Sequence, residues 1–203
     1  EGMSEVAIVG VGCSGFKPIT PDLSYKELMF ETAVKAYKDA GINPRKDVDV
    51  FITCAEDYLE GFSIFDEFVP DQLGAVLRHL FTVSGDGMLG LATAYMLIKT
   101  GQFDTVVLEA HSKVSDILTY MGIVAFGLDP ILNRPLGGHP YYIAGMEMNR
   151  YMHDTGTTAE QCAQVVVKNK RNAILNPYAA YGADVTLDQV LCSETCFYPL
   201  KKL

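Results

Sequence analysis

The sequence predicts an α/β fold with parallel strands, and three observations carry that prediction. Short apolar, β-branched runs recur at 6–11 (V-A-I-V-G-V), 48–54 (V-D-V-F-I-T-C) and 105–110 (T-V-V-L-E-A). Helical stretches with their own start and stop signals lie between them, the rhythm that parallel crossovers require. Composition agrees: 49% of the 203 residues are hydrophobic and 20% are charged, which is ordinary for a globular chain.

Taken in order, 6–11 reads as a buried strand ending in glycine. Ser24 opens a helix to Ala40, with Glu27 completing a capping box. Met29, Ala33, Ala36 and Ala40 give that helix one buried stripe, and Gly41 stops it. The second strand is 48–54. Residues 56–71 are acidic and aromatic, with Tyr58, Phe62, Phe65 and Phe68, and read as a loop or short helices packed on the core or, less favoured, a contact surface. A short helix is expected over 73–80. A glycine-rich stretch at 82–90 precedes a helix over 91–99, closed by Gly101 and expected to be central and buried. The third strand is 105–110. Residues 116–136 lack periodicity, and 143–154 is helical.

Thr157 with Glu160, or Thr158 with Gln161, caps the best-defined helix, whose face carries Cys162, Val165, Val166 and Ala173. Asn176-Pro177 ends it. Thr186 to Gln189 is a further capping box opening a short helix, and 196–200 is the last strand. No repeat or Pro/Ser-rich linker interrupts the chain, so residues 1–203 read as one domain.

Charge and cysteines narrow the function classes. A net charge of −9 repels phosphate backbones, so no nucleic-acid partner is expected. Cys13, Cys54, Cys162, Cys192 and Cys196 are odd in number and irregular in spacing, which fits a reducing cytoplasm better than a disulfide framework. Cys192 and Cys196 form a C-x3-C pair, but no second pair follows to complete four zinc ligands, so no metal is expected. Neither a signal peptide nor an apolar run of ~20 residues is present, so no membrane partner is expected.

Residues 142–192 carry a specific pattern: R-Y-M-H-D-T-G-T-T, then K-N-K-R-N-A-I-L-N-P-Y, then T-L-D-Q-V-L. It resembles thiolases of the sterol-carrier-protein and archaeal type, acetyl-CoA acetyltransferases among them, and V-A-I-V-G-V-G and D-A-G-I near the N-terminus agree. The resemblance covers essentially the whole chain. It implies a layered αβα fold with a mixed five-stranded sheet, and Claisen or reverse-Claisen chemistry on acyl-CoA thioesters in lipid metabolism. It also implies a homodimer, through a strand near 105–110. Thiolase chains are about twice this long and have two similar halves, so the resemblance aligns this chain with the first half only. The substrate is then a coenzyme A thioester, with no separate cofactor. Coenzyme A is an anion, so its site needs a local basic patch despite the acidic chain.

In that family a cysteine at the N-terminus of a buried helix attacks the acyl group, helped by the helix dipole. Aligned through Gly101, its position falls on Ser84, the catalytic candidate. Gly85 and Gly87 would let substrate approach, Gly87 matching a family glycine. Ser84 is either an engineered replacement, a native residue of a member with different chemistry, or the mark of a degenerate site; Asp86 beside it favours native divergence. Three functions follow: an acyl-CoA C-acyltransferase, a CoA-ester retro-aldolase that needs no acyl-enzyme, or a non-catalytic scaffold subunit. Relatives of this type often work with a small zinc-ribbon and OB-fold companion that binds acyl-CoA.

Other features are weaker. Gly138-His139-Pro140 imitates a late thiolase motif and places His139 at a substrate entrance, or else as an ordinary turn histidine. Met146 is a candidate for lining an acyl pocket, with Met88, Met96, Met148 and Met152 as core or pocket residues. His111, at the end of the third strand, reads more readily as a core or dimer-contact residue than as a catalytic one. Gly85, Gly87 and Gly90 match a dinucleotide-loop spacing, but no acidic ribose reader is evident.

Overall fold

The computed structural model describes residues 5–17, 19–55, 68–116 and 120–203. Where the sequence reads as one domain, the chain forms two compact units, Glu1–Ser14 with Ile19–Leu118, and Gly15–Pro18 with Thr119–Leu203.

The first unit is an α/β layer. Helix α1 (Tyr25–Ala40) starts as expected: the Ser24 hydroxyl accepts from the Glu27 N–H, and the Glu27 carboxylate accepts from the Ser24 N–H at 2.7 Å. It ends at Gly41 with φ 69°, a left-handed turn that favours glycine. Met29 and Ala33 are buried, while Ala36 and Ala40 are half-buried under the N-terminal segment.

That segment is not the expected strand. Residues 6–11 form no ladder, and Ile8, Val9 and Val11 are exposed. Their backbone lies along α1 instead. A Cβ on Gly10 would sit 2.6 Å from the Ala36 carbonyl oxygen, and one on Gly12 would collide with the Thr32 carbonyl. The Val11 N–H donates to Asp39 at 3.0 Å. Apolar, β-branched residues suit a strand, but a strand also needs a neighbour for its N–H and C=O groups. Here the glycines give the backbone a helix to lie on.

After the short helix α2 (Pro44–Asp47) comes strand β1 (Val50–Cys54), with all five residues buried. Helix α3 (Pro70–Leu73) is shorter than the expected 73–80 helix, because Gly74 turns left-handed at φ 73°. The remainder of that stretch enters strand β2 (His79–Val83), which the sequence reading missed. Helix α4 (Gly87–Lys99) starts four residues before the expected 91, and strand β3 (Val106–Ala110) follows. The sheet is parallel, in the order β2-β1-β3, with Cys54 level with Val83 and Ala110. Phe51 packs with Met29 and Ala33 of α1, and Val50, Ile52 and Cys54 pack with Ala94 of α4. The layers are therefore α1, sheet, α4.

Helix α4 is not wholly buried. Gly90 and Ala94 face the sheet, while Met88 is 71% and Met96 58% exposed. Leu89, Leu91 and Tyr95 are exposed as well. A helix this apolar on every side normally has cover on more than one face. Among the described residues only the sheet side supplies it.

The second unit is mostly helical: α5 (Tyr120–Val124), α6 (Pro140–Thr155), α7 (Ala159–Ile174) and α8 (Leu187–Cys192). Thr158 and Gln161 form the box that caps α7, and Thr186 and Gln189 the one that caps α8. On α7 the buried residue is Ala163, and Val165 of the expected face is 51% exposed. The chain closes with an antiparallel pair, β4 (Thr195–Phe197) and β5 (Leu200–Lys201). Among the described residues the expected five-stranded mixed sheet is thus a three-stranded parallel sheet and this separate pair. The acidic aromatic stretch lies outside the described residues over 56–67. No helix of the described residues is long and apolar enough to cross a membrane.

Candidate functional site

In the first unit the chemistry-bearing residues gather at the C-terminal ends of the three parallel strands. Ligands of open α/β sheets collect at that edge. Ser84 follows β2 directly and is exposed. Gly85 then takes φ 133°, a conformation that favours glycine, and Gly87 is the first residue of α4. The three expected residues Ser84, Gly85 and Gly87 therefore share one turn.

Asp86 is the N-cap of α4. One carboxylate oxygen accepts from the Met88 N–H at 2.9 Å and from the Leu89 N–H at 3.1 Å. These are the donors that an oxyanion or thiolate at a helix terminus would use. The protein's own carboxylate therefore occupies these two donors.

Helix α4 crosses from β2 over the neighbouring strands. A Cβ on Gly87 would lie 3.1 Å from the Ala110 Cβ, and one on Gly90 would collide with the Cys54 sulfur. Cys54 is 1% exposed at the end of β1. Burial pushes its thiol above the usual range, and the charge of Glu109 adds to this; the Gly90 N–H opposes both, and Asp86 raises it further. A shielded thiol held protonated is a poor nucleophile, so Cys54 is not itself a candidate for covalent chemistry.

On the other face of the sheet lies a cluster that sequence reasoning did not assemble. The Glu109 carboxylate is 8% exposed and accepts from the Thr53 hydroxyl at 2.7 Å. Both of its oxygens lie 3.1 Å from Nδ1 of His111. The His111 ring stacks on Tyr25 of α1 with centroids 5.8 Å apart, and the His111 backbone N–H donates to the Cys54 carbonyl at 3.2 Å. Lys113 is 5% exposed, with its ammonium 2.6 Å from Asp116. Glu109, His111 and Lys113 stand two residues apart, the period that puts side chains on one face of an extended segment. The signal was visible in E-A-H-S-K, but nothing local says that this face is covered.

The remaining expected residues belong to the second unit. His139 caps α6, Nδ1 accepting from the Tyr141 N–H at 3.0 Å. Its ring stacks on Phe197 at 5.3 Å, and Nε2 is buried without a partner among the described residues. Met146, 46% exposed, lines a shallow groove of about 590 Å³ with Arg150, Tyr151 and Asp154. Among the described residues no three His, Cys, Asp or Glu side chains gather as a metal site would require.

No protein-family model matches the chain. Among curated proteins it is similar to an acetyl-CoA acetyltransferase of Methanothermobacter thermautotrophicus, 27% identical over 208 residues, covering 99% of this chain and 53% of that protein. It is similar also to sterol carrier protein 2 of Bos taurus, 27% identical over 214 residues, covering 96% of this chain and 38% of that protein. Among solved structures, the Ltp2-ChsH2(DUF35) aldolase superposes with a TM-score of 0.75 at 27% identity, over 97% of this chain and 50% of that one. The chain spans about half the length of the acetyltransferase it matches.

Proposed function

We propose that this chain, which belongs to the thiolase superfamily in its sterol-carrier-protein type, takes part in carbon–carbon bond chemistry on acyl-CoA thioesters without an acyl-enzyme at Ser84. The observation that carries the second clause is Asp86. Its carboxylate takes up two of the N–H donors at the helix N-terminus that would otherwise help stabilise a nucleophile at 84. A serine hydroxyl needs a base to become a strong nucleophile, and a neighbouring carboxylate on the helix donors works against the anion. Aldol cleavage of a β-hydroxyacyl-CoA needs no such anion. It needs a base for the hydroxyl and a place for the enolate. The superposition on an aldolase supports this branch. Acyl transfer through Ser84 is the second reading, favoured by the similarity to an acetyl-CoA acetyltransferase.

The partners follow from the same reading. Acyl-CoA is the substrate class. Among the described residues strand β3 lies at an edge of its sheet, where a second copy could pair. A zinc-ribbon and OB-fold companion is in keeping with the two-component name of the aldolase. The deciding experiment is intact-protein mass spectrometry after incubation with acetyl-CoA, alongside a cleavage assay on a β-hydroxyacyl-CoA. Cleavage without an adduct is the expected result. A stoichiometric acetyl adduct on Ser84 selects acyl transfer instead, and neither signal selects a scaffold.

A further inference from the structure

We propose that the groove lined by α7 and α8 is a binding site for a phosphorylated nucleoside, and that the acyl-CoA supplies it as its nucleotide end. The inference rests on the acyl-CoA reading above and adds to it the place, in the second unit, where the charged end of the ligand is held.

A net charge of −9 leaves few places where a multiply charged anion can settle. Residues 161–183 are the exception. They form the longest run of the chain without Asp or Glu, and they carry Lys168, Lys170 and Arg171, more cations than any other acid-free run. Most of the run folds as α7. Gln164, Lys168 and Arg171 lie four and three positions apart, so the helix puts them on one face. With Val167, Asn172 and Leu187, the first residue of α8, they line a groove of about 360 Å³. The chain beyond α7 is pinned against it. A Cβ on Gly182 would lie 2.7 Å from the Ile174 nitrogen, and the Ala183 N–H donates to the Lys170 carbonyl at 3.1 Å. Asp184 is thereby carried to Arg171, where one carboxylate oxygen accepts from Nε at 3.3 Å and from Nη2 at 3.1 Å.

The lining suits one class of ligand. Asp184 takes one edge of the Arg171 guanidinium, fixes its plane and leaves the Nη1 hydrogens to donate elsewhere. Lys168 has no hydrogen bond or ion pair among the described residues. An ammonium and a guanidinium one helical turn apart fit the oxygens of a phosphate, which accepts charge-assisted hydrogen bonds from both. Asp184 offsets only one of the two charges, and Asp188, next to Leu187, does not line the groove. Phosphate alone would have no use for the rest of the lining. Gln164 and Asn172 each offer an amide donor and an amide acceptor, which match the polar edge of a nucleobase. Val167 and Leu187 are half-buried and supply an apolar surface for its flat face. Sites that enclose a whole ligand run from about 300 to 1,000 Å³. A groove of about 360 Å³ therefore holds a nucleotide and leaves the thioester arm of an acyl-CoA outside it.

The test is calorimetric titration of the whole protein with acetyl-CoA, ADP and inorganic phosphate. ADP should bind, acetyl-CoA should displace it, and added salt should weaken both. Lys168→Gln should weaken each about tenfold, the loss expected for a hydrogen bond between charged groups. Lys170→Gln removes the same charge from a residue that does not line the groove, and should change either affinity by less than about twofold. Glutamine keeps the helix propensity of lysine, so both variants fold. Acetyl-CoA binding that is equal in the native protein and in Lys168→Gln overturns the inference and leaves the acyl-CoA reading standing. Equal losses in the two variants would reveal a diffuse charge effect, and displacement of ADP by an equal concentration of phosphate an adventitious ion only; either overturns it too. ADP binding that depends on Lys168 but resists acetyl-CoA assigns the groove to a free nucleotide and overturns the coenzyme A source. If neither acetyl-CoA nor ADP binds, the inference fails, and cleavage of a β-hydroxyacyl-CoA by the same protein decides separately whether the acyl-CoA reading survives.

Discussion

At the scale of single residues, Asp86 sets the electrostatic surroundings of Ser84. An N-cap carboxylate holds the helix together while it fills the donors a thiolate would need. Ser84→Cys should therefore give a thiol that alkylates slowly at neutral pH. Adding Asp86→Asn keeps a good cap but removes the charge, and should lower that thiol's pKa. The pH dependence of iodoacetamide labelling checks both, and equal profiles for the single and double variants would refute the assignment. Two other residues set a pH limit on stability. Cys54 is raised from 9.0 by burial first, and Tyr37 from 10.0 by burial first. Both keep their protons in the fold where the unfolded chain releases them. The stability they contribute is complete below pH 9.0 and is lost as pH rises through the raised values. The urea midpoint should fall steadily from about pH 9 to 11, and Tyr37→Phe should flatten the upper part of that decline.

At the scale of elements, the helix-to-sheet contact at Gly90 sets how closely α4 approaches. An added methyl would collide with the Cys54 sulfur and lie 2.5 Å from a Leu108 methyl carbon. Alanine is the better helix former, yet overpacking should win, and Gly90→Ala should destabilise by about 1–3 kcal/mol. Cys54→Ala in the same chain should recover part of that loss. Chemical denaturation of the two single variants and the double one measures the coupling. Strictly additive effects would mean that the sulfur is not the obstacle.

For the molecule as a whole, the apolar surface has a consequence. Met88, Leu89, Tyr95 and Met96 on α4, with Ile8, Val9 and Val11 along the N-terminal segment, are all at least 49% exposed. Apolar area of this kind is unusual on an isolated soluble monomer. Residues 1–203 alone should bind a hydrophobic dye and associate as concentration rises. Light scattering that reports a monodisperse monomer with no dye binding would count against any partner for these faces.

Local order was legible from the sequence because it is set by neighbours a few residues apart. The capping boxes at Ser24, Thr158 and Thr186, the stop at Gly41, and β1 and β3 all follow from such short-range chemistry. The Ser84 turn followed from its glycines in the same way. What only the tertiary structure decided depends on partners distant in the chain. Whether 6–11 joins a sheet depends on a neighbouring strand, and the segment lies on α1 instead. Strand β2 needs β1 beside it to be a strand at all. The Thr53–Glu109–His111 cluster joins residues 56 positions apart, through a parallel register that no local pattern specifies.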